Sequence, residues 1–173
     1  MLYSPILSFI RLFLLVPWIT IISFCQFVVL CFFKRFFFVF YKFLFFGIRK
    51  IFGIKLKVAG VQETKRVMFI SNHISYLDII ILGSVVNAVF VAKSEIKGWP
   101  IINKLCMLGK TIFIERNNRR SVKKQSVSIK ENMENGLNVI LFPEGTSSDG
   151  SKVLSFKSSL FEVVDHEELR NYK

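Results

Sequence analysis

The stretch VMFISNHISYLD, residues 67–78, joins a predicted buried strand to a predicted helix and sets the pattern for the rest of the chain. Residues 67–70 are all apolar and favour a strand, whereas residues 76–87 have the pattern of a helix. Ser75 and Asp78 fit the Ser-x-x-Asp capping box, with Ser75 as the N-cap and Asp78 at the third helical position.

His73 lies in the loop between the two elements, five positions before Asp78 in the sequence. A neutral imidazole can accept a proton near neutral pH, and a nearby carboxylate can fix its tautomer and stabilise the imidazolium. Such a pair could activate a hydroxyl group for attack on an acyl carbonyl. The capping box explains Asp78 without catalysis, and the two roles are compatible because a carboxylate in the first turn can also face the loop.

Strands and helices alternate after this stretch. Further strands are predicted at residues 88–92, 111–115 and 138–142, and a polar helix at residues 121–135 with Gly136 as its stop. This alternation predicts an α/β fold with a mostly parallel sheet and flanking helices. Functional loops gather at the carboxyl ends of such strands. We therefore expect Asn72 and His73, Arg116, and the run from Pro143 to Thr146 to converge on one edge.

Two of these strand ends carry residues suited to binding a substrate. Gly145 allows close approach of the backbone, so we expect Glu144 to be exposed at the turn and to accept hydrogen bonds from hydroxyl groups. Arg116 offers a fork of donors suited to phosphate. The alternatives are an ordinary strand-ending turn and a solvated surface arginine.

The N-terminal region predicts membrane docking. No charged residue lies between Arg11 and Lys34, and this run is long enough to cross a hydrocarbon layer of about 30 Å. Residues 36–48 are too short to span and predict an interfacial or returning segment. A signal peptide is the alternative, but its apolar core is only about 7–15 residues, and no small-x-small site precedes the basic cluster. We predict hydrophobic docking helices over residues 1–54 and an α/β domain over residues 55–173.

Charge and composition support a membrane partner over nucleic acid. The net charge is +12, and 20 of the 173 residues are Phe. The first 57 residues contain no acid, and their Lys and Arg residues are interleaved with Phe, as expected at an anionic lipid surface. By the positive-inside rule, the basic residues that follow the apolar run place the chain from residue 34 onward on the cytoplasmic side. They are Lys34, Arg35, Lys42, Arg49, Lys50, Lys55 and Lys57. The three cysteines predict neither a disulfide framework nor a zinc site.

Three ordered blocks resemble the glycerolipid acyltransferase family, whose best-known type is 1-acylglycerol-3-phosphate (lysophosphatidate) acyltransferase. The blocks are NHISYLD at residues 72–78, GKTIFIER at residues 109–116, and FPEGTSSDG at residues 142–150 with a following FKSSLF. The resemblance covers roughly residues 55–161. It implies a membrane-bound enzyme that moves a fatty acyl group from an acyl thioester to the free hydroxyl of lysophosphatidic acid, giving phosphatidic acid.

The resemblance also implies a role for each matching residue. His73 would be the general base and Asp78 its orienting partner, while Asn72 and Ser75 would shape the loop. The substrate-binding residues would be Arg116 and Lys157 for the phosphate of the acceptor, and Glu144, Gly145 and Thr146 for its glycerol part. No metal or prosthetic group is expected, and the co-substrate would be acyl-CoA or acyl-carrier protein.

Two departures from the family pattern leave alternatives open. Ser147 stands where many members have Arg, and Ser159 where many have Gly, and the FPEGTSSDG form also resembles relatives that acylate lyso-ornithine lipids. Family members usually continue well past this block, so we expect the C-terminal part of the domain to be incomplete. The alternatives are therefore a lyso-ornithine lipid acyltransferase and a truncated, inactive membrane relative.

Overall fold

The computed structural model describes residues 4–64, 67–115 and 122–157, with the backbone alone for residues 122–126. Its main elements in chain order are α1 (Pro5–Phe32), α2 (Phe37–Ile51), β1 (Met68–Ile70), α3 (Tyr76–Val85), β2 (Ala88–Lys93), α4 (Pro100–Leu108), β3 (Ile112–Ile114), α5 (Val122–Glu134) and β4 (Asn138–Leu141). Contacts divide the chain into two compact units, residues 1–60 with 79–86 and residues 61–78 with 87–173. The predicted domain boundary between residues 54 and 55 stays a prediction.

The second unit is built on a parallel sheet. Within the described residues it has four strands in the order β1-β4-β2-β3, and every neighbouring pair runs parallel. Phe69 of β1 and Phe90 of β2 both lie opposite Ile140 of β4 in the register. This sheet and its helices confirm the predicted α/β class. Because β1 and β4 are neighbours, the loops that follow them begin side by side.

The core of this unit lies around β4 and β2. All four residues of β4 are buried, as expected for a central strand covered on both faces. Helix α5 packs against β3 and β4, and its Ile129 and Met133 are fully buried. Its end is a Schellman motif, with Gly136 at φ 82° and hydrogen bonds from Gly136 to Met133 and from Leu137 to Asn132. The predicted stop at Gly136 is confirmed.

A buried asparagine braces the amino end of the sheet. Asn138 is 3% exposed, and its Oδ1 accepts the N–H of Val67 at 3.1 Å. Its Nδ2 donates to the carbonyl oxygens of Thr64 and Asn87, each at 3.0 Å. One side chain thus satisfies three main-chain groups on the segments that enter β1 and β2, which an apolar residue could not do.

The first unit contains an antiparallel pair of helices. Arg11 of α1 contacts Phe52 just after α2, while the indole N–H of Trp18 donates to the carbonyl of Leu44 at 3.1 Å. Gly47 lets the two helices approach, because a Cβ at this position would overlap the Trp18 ring. The segment that was predicted to lie in the interface or to return therefore returns along α1.

Helix α1 has the length and composition of a membrane span. It has 28 residues, and its most apolar window has a mean hydropathy of 2.3, with 17% of that window buried inside the structure. At about 1.5 Å per residue it is roughly 42 Å long, which exceeds a hydrocarbon layer of about 30 Å. Many of its large apolar side chains are exposed, including Ile6, Phe9, Phe13 and Phe24. Such a surface is expected for contact with lipid.

Candidate active site

The capping box at the start of α3 is present in full. Ser75 Oγ accepts the N–H of Leu77 at 3.1 Å, and Asp78 Oδ2 accepts the N–H of Ser75 at 2.9 Å. These reciprocal bonds satisfy main-chain donors that a helix start would otherwise leave unpaired. The first turn therefore holds the Asp78 carboxylate in a fixed position beside the loop.

The same carboxylate oxygen also contacts His73. Asp78 Oδ2 lies 3.0 Å from His73 Nδ1 and accepts the N–H of Ile74 at 2.7 Å. Because a carboxylate is an acceptor, this contact assigns the proton of the neutral imidazole to Nδ1. Nε2 is then the ring nitrogen that can take a proton from another molecule. The pairing expected from the sequence is present, and Asp78 serves the helix and the imidazole together.

Two stacked aromatic rings pack against one face of the His73 imidazole. The rings of His73 and Phe142 are 4.3 Å apart between centroids with an interplanar angle of 22°, and Phe142 is stacked on Phe90 at 6.1 Å. Phe142 follows β4 and Phe90 lies in the neighbouring strand β2, so the sheet itself positions the stack. Sequence reasoning assigned no role to either ring. An aromatic residue at the end of a predicted strand was the available signal.

Glu144 is tied to the main chain of the histidine loop. Its Oε1 accepts the N–H of His73 at 2.9 Å, and its Oε2 accepts the N–H of Leu154 at 3.2 Å. The residue is 1% exposed. The expectation that Glu144 is exposed at the turn was wrong. The chain that follows returns over the turn, where the N–H of Lys157 binds the carbonyl of Pro143 at 2.9 Å, and this return covers the carboxylate.

The loop after Glu144 also holds the histidine segment. The N–H of Ser148 donates to the carbonyl of His73 at 3.1 Å, so both main-chain groups of His73 are bound by the β4 loop.

Further along the same loop, the hydroxyl and N–H of Ser151 donate to Asp149 and hold the pKa of that exposed carboxyl below its ordinary value. Gly145 is buried at φ 75°, a left-handed conformation that glycine adopts without strain.

The other predicted site residues are partly accounted for. Asn72 and Thr146 are exposed beside the histidine loop, where a ligand can reach them. Lys157 is exposed, and its main chain is bound to the same turn as Glu144. Arg116 lies outside the described residues.

This arrangement can perform general base chemistry. The side chain of His73 is 16% exposed, its Nδ1 faces a carboxylate, and its main chain is fixed on both sides. A base of this kind can remove a proton from a hydroxyl group placed within about 3 Å of Nε2. Ser75 Oγ is occupied in capping the helix and is therefore poorly suited to be a nucleophile.

Known proteins resemble this chain in sequence. A sequence profile of the family described as Acyltransferase matches residues 55–167. The chain is 43% identical to the lyso-ornithine lipid O-acyltransferase of Rhizobium meliloti over 110 residues, which are 63% of this chain and 38% of that protein. It is 36% identical to the 1-acyl-sn-glycerol-3-phosphate acyltransferase of Neisseria gonorrhoeae over 110 residues, which are 64% of this chain and 43% of that protein.

A solved structure has the same fold. The crystal structure of the 1-acyl-sn-glycerophosphate (LPA) acyltransferase PlsC from Thermotoga maritima superposes with a TM-score of 0.53 at 23% sequence identity. The match covers 91% of this chain and 70% of that one. The matched segments span about two fifths of the length of the curated relatives.

Proposed function

Because the chain belongs to the acyltransferase family, we propose that it transfers a fatty acyl group from an acyl thioester to the free hydroxyl of lysophosphatidic acid, giving phosphatidic acid. The observation that carries this proposal is the contact of 3.0 Å between His73 Nδ1 and Asp78 Oδ2. A relative named 1-acyl-sn-glycerol-3-phosphate acyltransferase supports the choice of acceptor.

The reaction is a direct transfer without a covalent enzyme intermediate. Nε2 of His73 takes the proton of the acceptor hydroxyl while its oxygen attacks the thioester carbonyl carbon. The tetrahedral intermediate expels the thiolate, and the imidazolium returns the proton to it as the free thiol. Asp78 holds the imidazole in the required tautomer and stabilises its charged form.

Glu144 acts in this proposal as a positioning residue. Both of its oxygens bind main-chain N–H groups, so they are already occupied before an acceptor arrives. Thr146 and Lys157 are exposed and would contact the acceptor, with Arg116 supplying the fork for its phosphate, while the buried Gly145 would shape the turn that carries them. Acyl-CoA or acyl-carrier protein would deliver the acyl group, and no metal or prosthetic group takes part.

Lyso-ornithine lipid is a second candidate acceptor. Relatives of that name in Rhizobium meliloti and Brucella abortus are 43% and 36% identical to this chain over the matched segments. An ornithine lipid has no phosphate, so Arg116 would then have no anionic partner of that kind on the acceptor. Arg116→Ala should therefore affect the two acceptors differently.

The first unit would hold the enzyme at a membrane. Since α2 returns along α1, the chain leaves the helix pair beside Arg11, at the opposite end from Lys34 and Arg35. Arg49 and Lys50 lie at this same end, so the basic residues are more numerous there. The positive-inside rule then places the exit of the pair, and the catalytic unit that follows it, on the cytoplasmic side.

One experiment tests the activity and separates the acceptors. Membranes bearing the full chain are incubated with a labelled acyl thioester and either lysophosphatidate or lyso-ornithine lipid. Transfer to lysophosphatidate that is lost in His73→Ala and kept in His166→Ala supports the proposal. Transfer to lyso-ornithine lipid alone would mean that this lipid, and not lysophosphatidate, is the acceptor. The absence of turnover with either lipid favours the inactive relative, and full activity of His73→Ala refutes the base assignment.

A further inference from the structure

Two guanidinium groups bind the turn that follows α2. Arg11 Nη2 donates to the carbonyl of Phe52 at 3.2 Å, and Arg49 Nη1 donates to the carbonyl of Ile54 at 3.3 Å. These carbonyls are two residues apart, which limits their separation to about 7 Å. Gly53 between them has φ 71° and turns the chain. Arg11 and Arg49, which are 38 positions apart in the sequence, thus both bind one short turn.

The hydrogen bonds do not satisfy these side chains. In the described part of the chain, the Nε atoms of both Arg11 and Arg49 are buried without a hydrogen-bond partner. Buried donors on a charged group are costly when unpaired. The sequence of the first unit, residues 1–60 and 79–86, contains no Asp or Glu, so this unit offers no carboxylate to either arginine.

Aromatic rings and apolar side chains surround the two cations. The Arg11 guanidinium lies 5.9 Å from the centre of the Phe52 ring, and that of Arg49 lies 5.3 Å from the Phe46 ring. Lys50 Nζ lies 5.5 Å from the same Phe46 ring. Phe46 and Phe52 are exposed, as is Ile6 in the first turns of α1. Positive charge beside exposed apolar surface matches the boundary between lipid headgroups and acyl chains.

We propose that Arg11 and Arg49 form a binding site for the phosphate of an anionic glycerophospholipid. The planar fork of arginine matches the geometry of phosphate oxygens, and two such forks on one turn can hold a single phosphate. The acyl chains of the same lipid would cover the exposed apolar residues. The site contains none of the residues assigned to acyl transfer and would hold a resident lipid, not a substrate.

Charge-conserving substitutions test this site. The full chain is placed in nanodiscs of phosphatidylcholine and phosphatidylglycerol, and the lipids that stay bound after release are counted by native mass spectrometry. Arg11→Lys and Arg49→Lys keep the charge but lose the fork, and each should lower the affinity for phosphatidylglycerol about tenfold or more. Arg35→Lys, at the other end of the pair, is the matched control and should retain wild-type binding.

The outcomes separate a site from a diffuse basic surface. Unchanged binding in Arg11→Lys and Arg49→Lys overturns the proposal, and so does an equal loss in Arg35→Lys. If inorganic phosphate displaces phosphatidylglycerol at matched ionic strength, the site binds free phosphate, and the proposal that its ligand is a lipid is overturned. Unchanged Trp18 fluorescence shows that the helix pair is intact, because its indole is bound between the two helices. Acyl transfer by the same samples reports separately on the proposed enzyme activity.

Discussion

Glu144 Oε1 accepts the main-chain N–H of His73 at 2.9 Å across 71 residues of sequence. The second oxygen of the same carboxylate binds the N–H of Leu154. Glu144 thus connects the loops after two neighbouring strands and the returning chain that covers them. The position of the base depends on a residue that is itself nearly inaccessible to a substrate.

Glu144→Gln should lower kcat while leaving the KM for the lysolipid nearly unchanged. The amide keeps one oxygen and replaces the other with a donor, so either His73 or Leu154 loses its acceptor. An unsatisfied buried N–H costs about 1–3 kcal/mol, which corresponds to roughly a ten- to hundredfold loss of rate if it displaces the base. Initial rates over a range of acceptor concentrations measure both constants.

The exposed Glu131 on α5 provides a matched control, and Glu131→Gln should behave as the wild type. A large rise in KM at constant kcat in Glu144→Gln would mean that Glu144 contacts the acceptor directly.

Asp78→Asn and Ser75→Ala should separate catalysis from helix capping. Ser75→Ala removes the bond to the N–H of Leu77 and should lower the free energy of unfolding by about 1 kcal/mol, with most activity retained. Asp78→Asn also removes the negative charge beside His73 Nδ1 and should lower kcat by about 10²- to 10⁴-fold. Equal losses of activity in variants of equal stability would contradict a special role for the Asp78 carboxylate.

Asn138→Ala should destabilise the sheet without touching the base. The substitution leaves the buried N–H of Val67 without its acceptor and removes two bonds to carbonyls. A cost of about 1–3 kcal/mol is expected from the unsatisfied donor. Urea unfolding in detergent micelles measures this cost, and Asn135→Ala, at an exposed position, is the control. Equal midpoints for the two variants would show that the Asn138 brace contributes little.

Cys106 should make stability depend on pH in the alkaline range. Burial raises the pKa of the Cys106 thiol above its ordinary value, and the hydrogen bond with Thr111 offsets part of this rise. The unfolded chain loses this proton first. The contribution of Cys106 to stability is therefore complete below the ordinary thiol pKa of about 8.5 and is lost as pH rises through the raised value.

The difference in unfolding free energy between wild type and Cys106→Ser should shrink as the pH is raised above about 8.5. Cys31→Ser removes an exposed thiol and serves as the control for the substitution itself. Parallel curves for wild type and Cys106→Ser would contradict the effect of burial.

The sequence predicted the parts of this structure that depend on local patterns. The apolar runs of β1 and β4, the capping box at Ser75 and the stop at Gly136 each follow from neighbouring residues, and each is present. The gathering of the loops after β1 and β4 at one edge of the sheet followed from a general property of parallel sheets. The contact between His73 and Asp78 could be predicted because only five positions separate the two residues in the sequence.

The sequence-based predictions were wrong or incomplete where segments distant in sequence come into contact. Nothing local to Glu144 indicates that residues 154–157 return to cover it, so its burial could not be read from the turn alone. The stack of His73 on Phe142 and Phe90 needs the strand order, which periodicity does not give. Likewise, Arg11 was treated as the boundary of an apolar run, because its contact with Phe52 requires the return of α2.

The single oxygen Oδ2 of Asp78 serves the start of α3 and the imidazole at once. Mutational drift at this position would therefore weaken folding and chemistry together, and purifying selection for a stable chain alone would preserve the carboxylate. Loss of the imidazole alone would leave the bonds from Asp78 to the main chain at the start of α3 in place, whereas loss of the carboxylate would affect both.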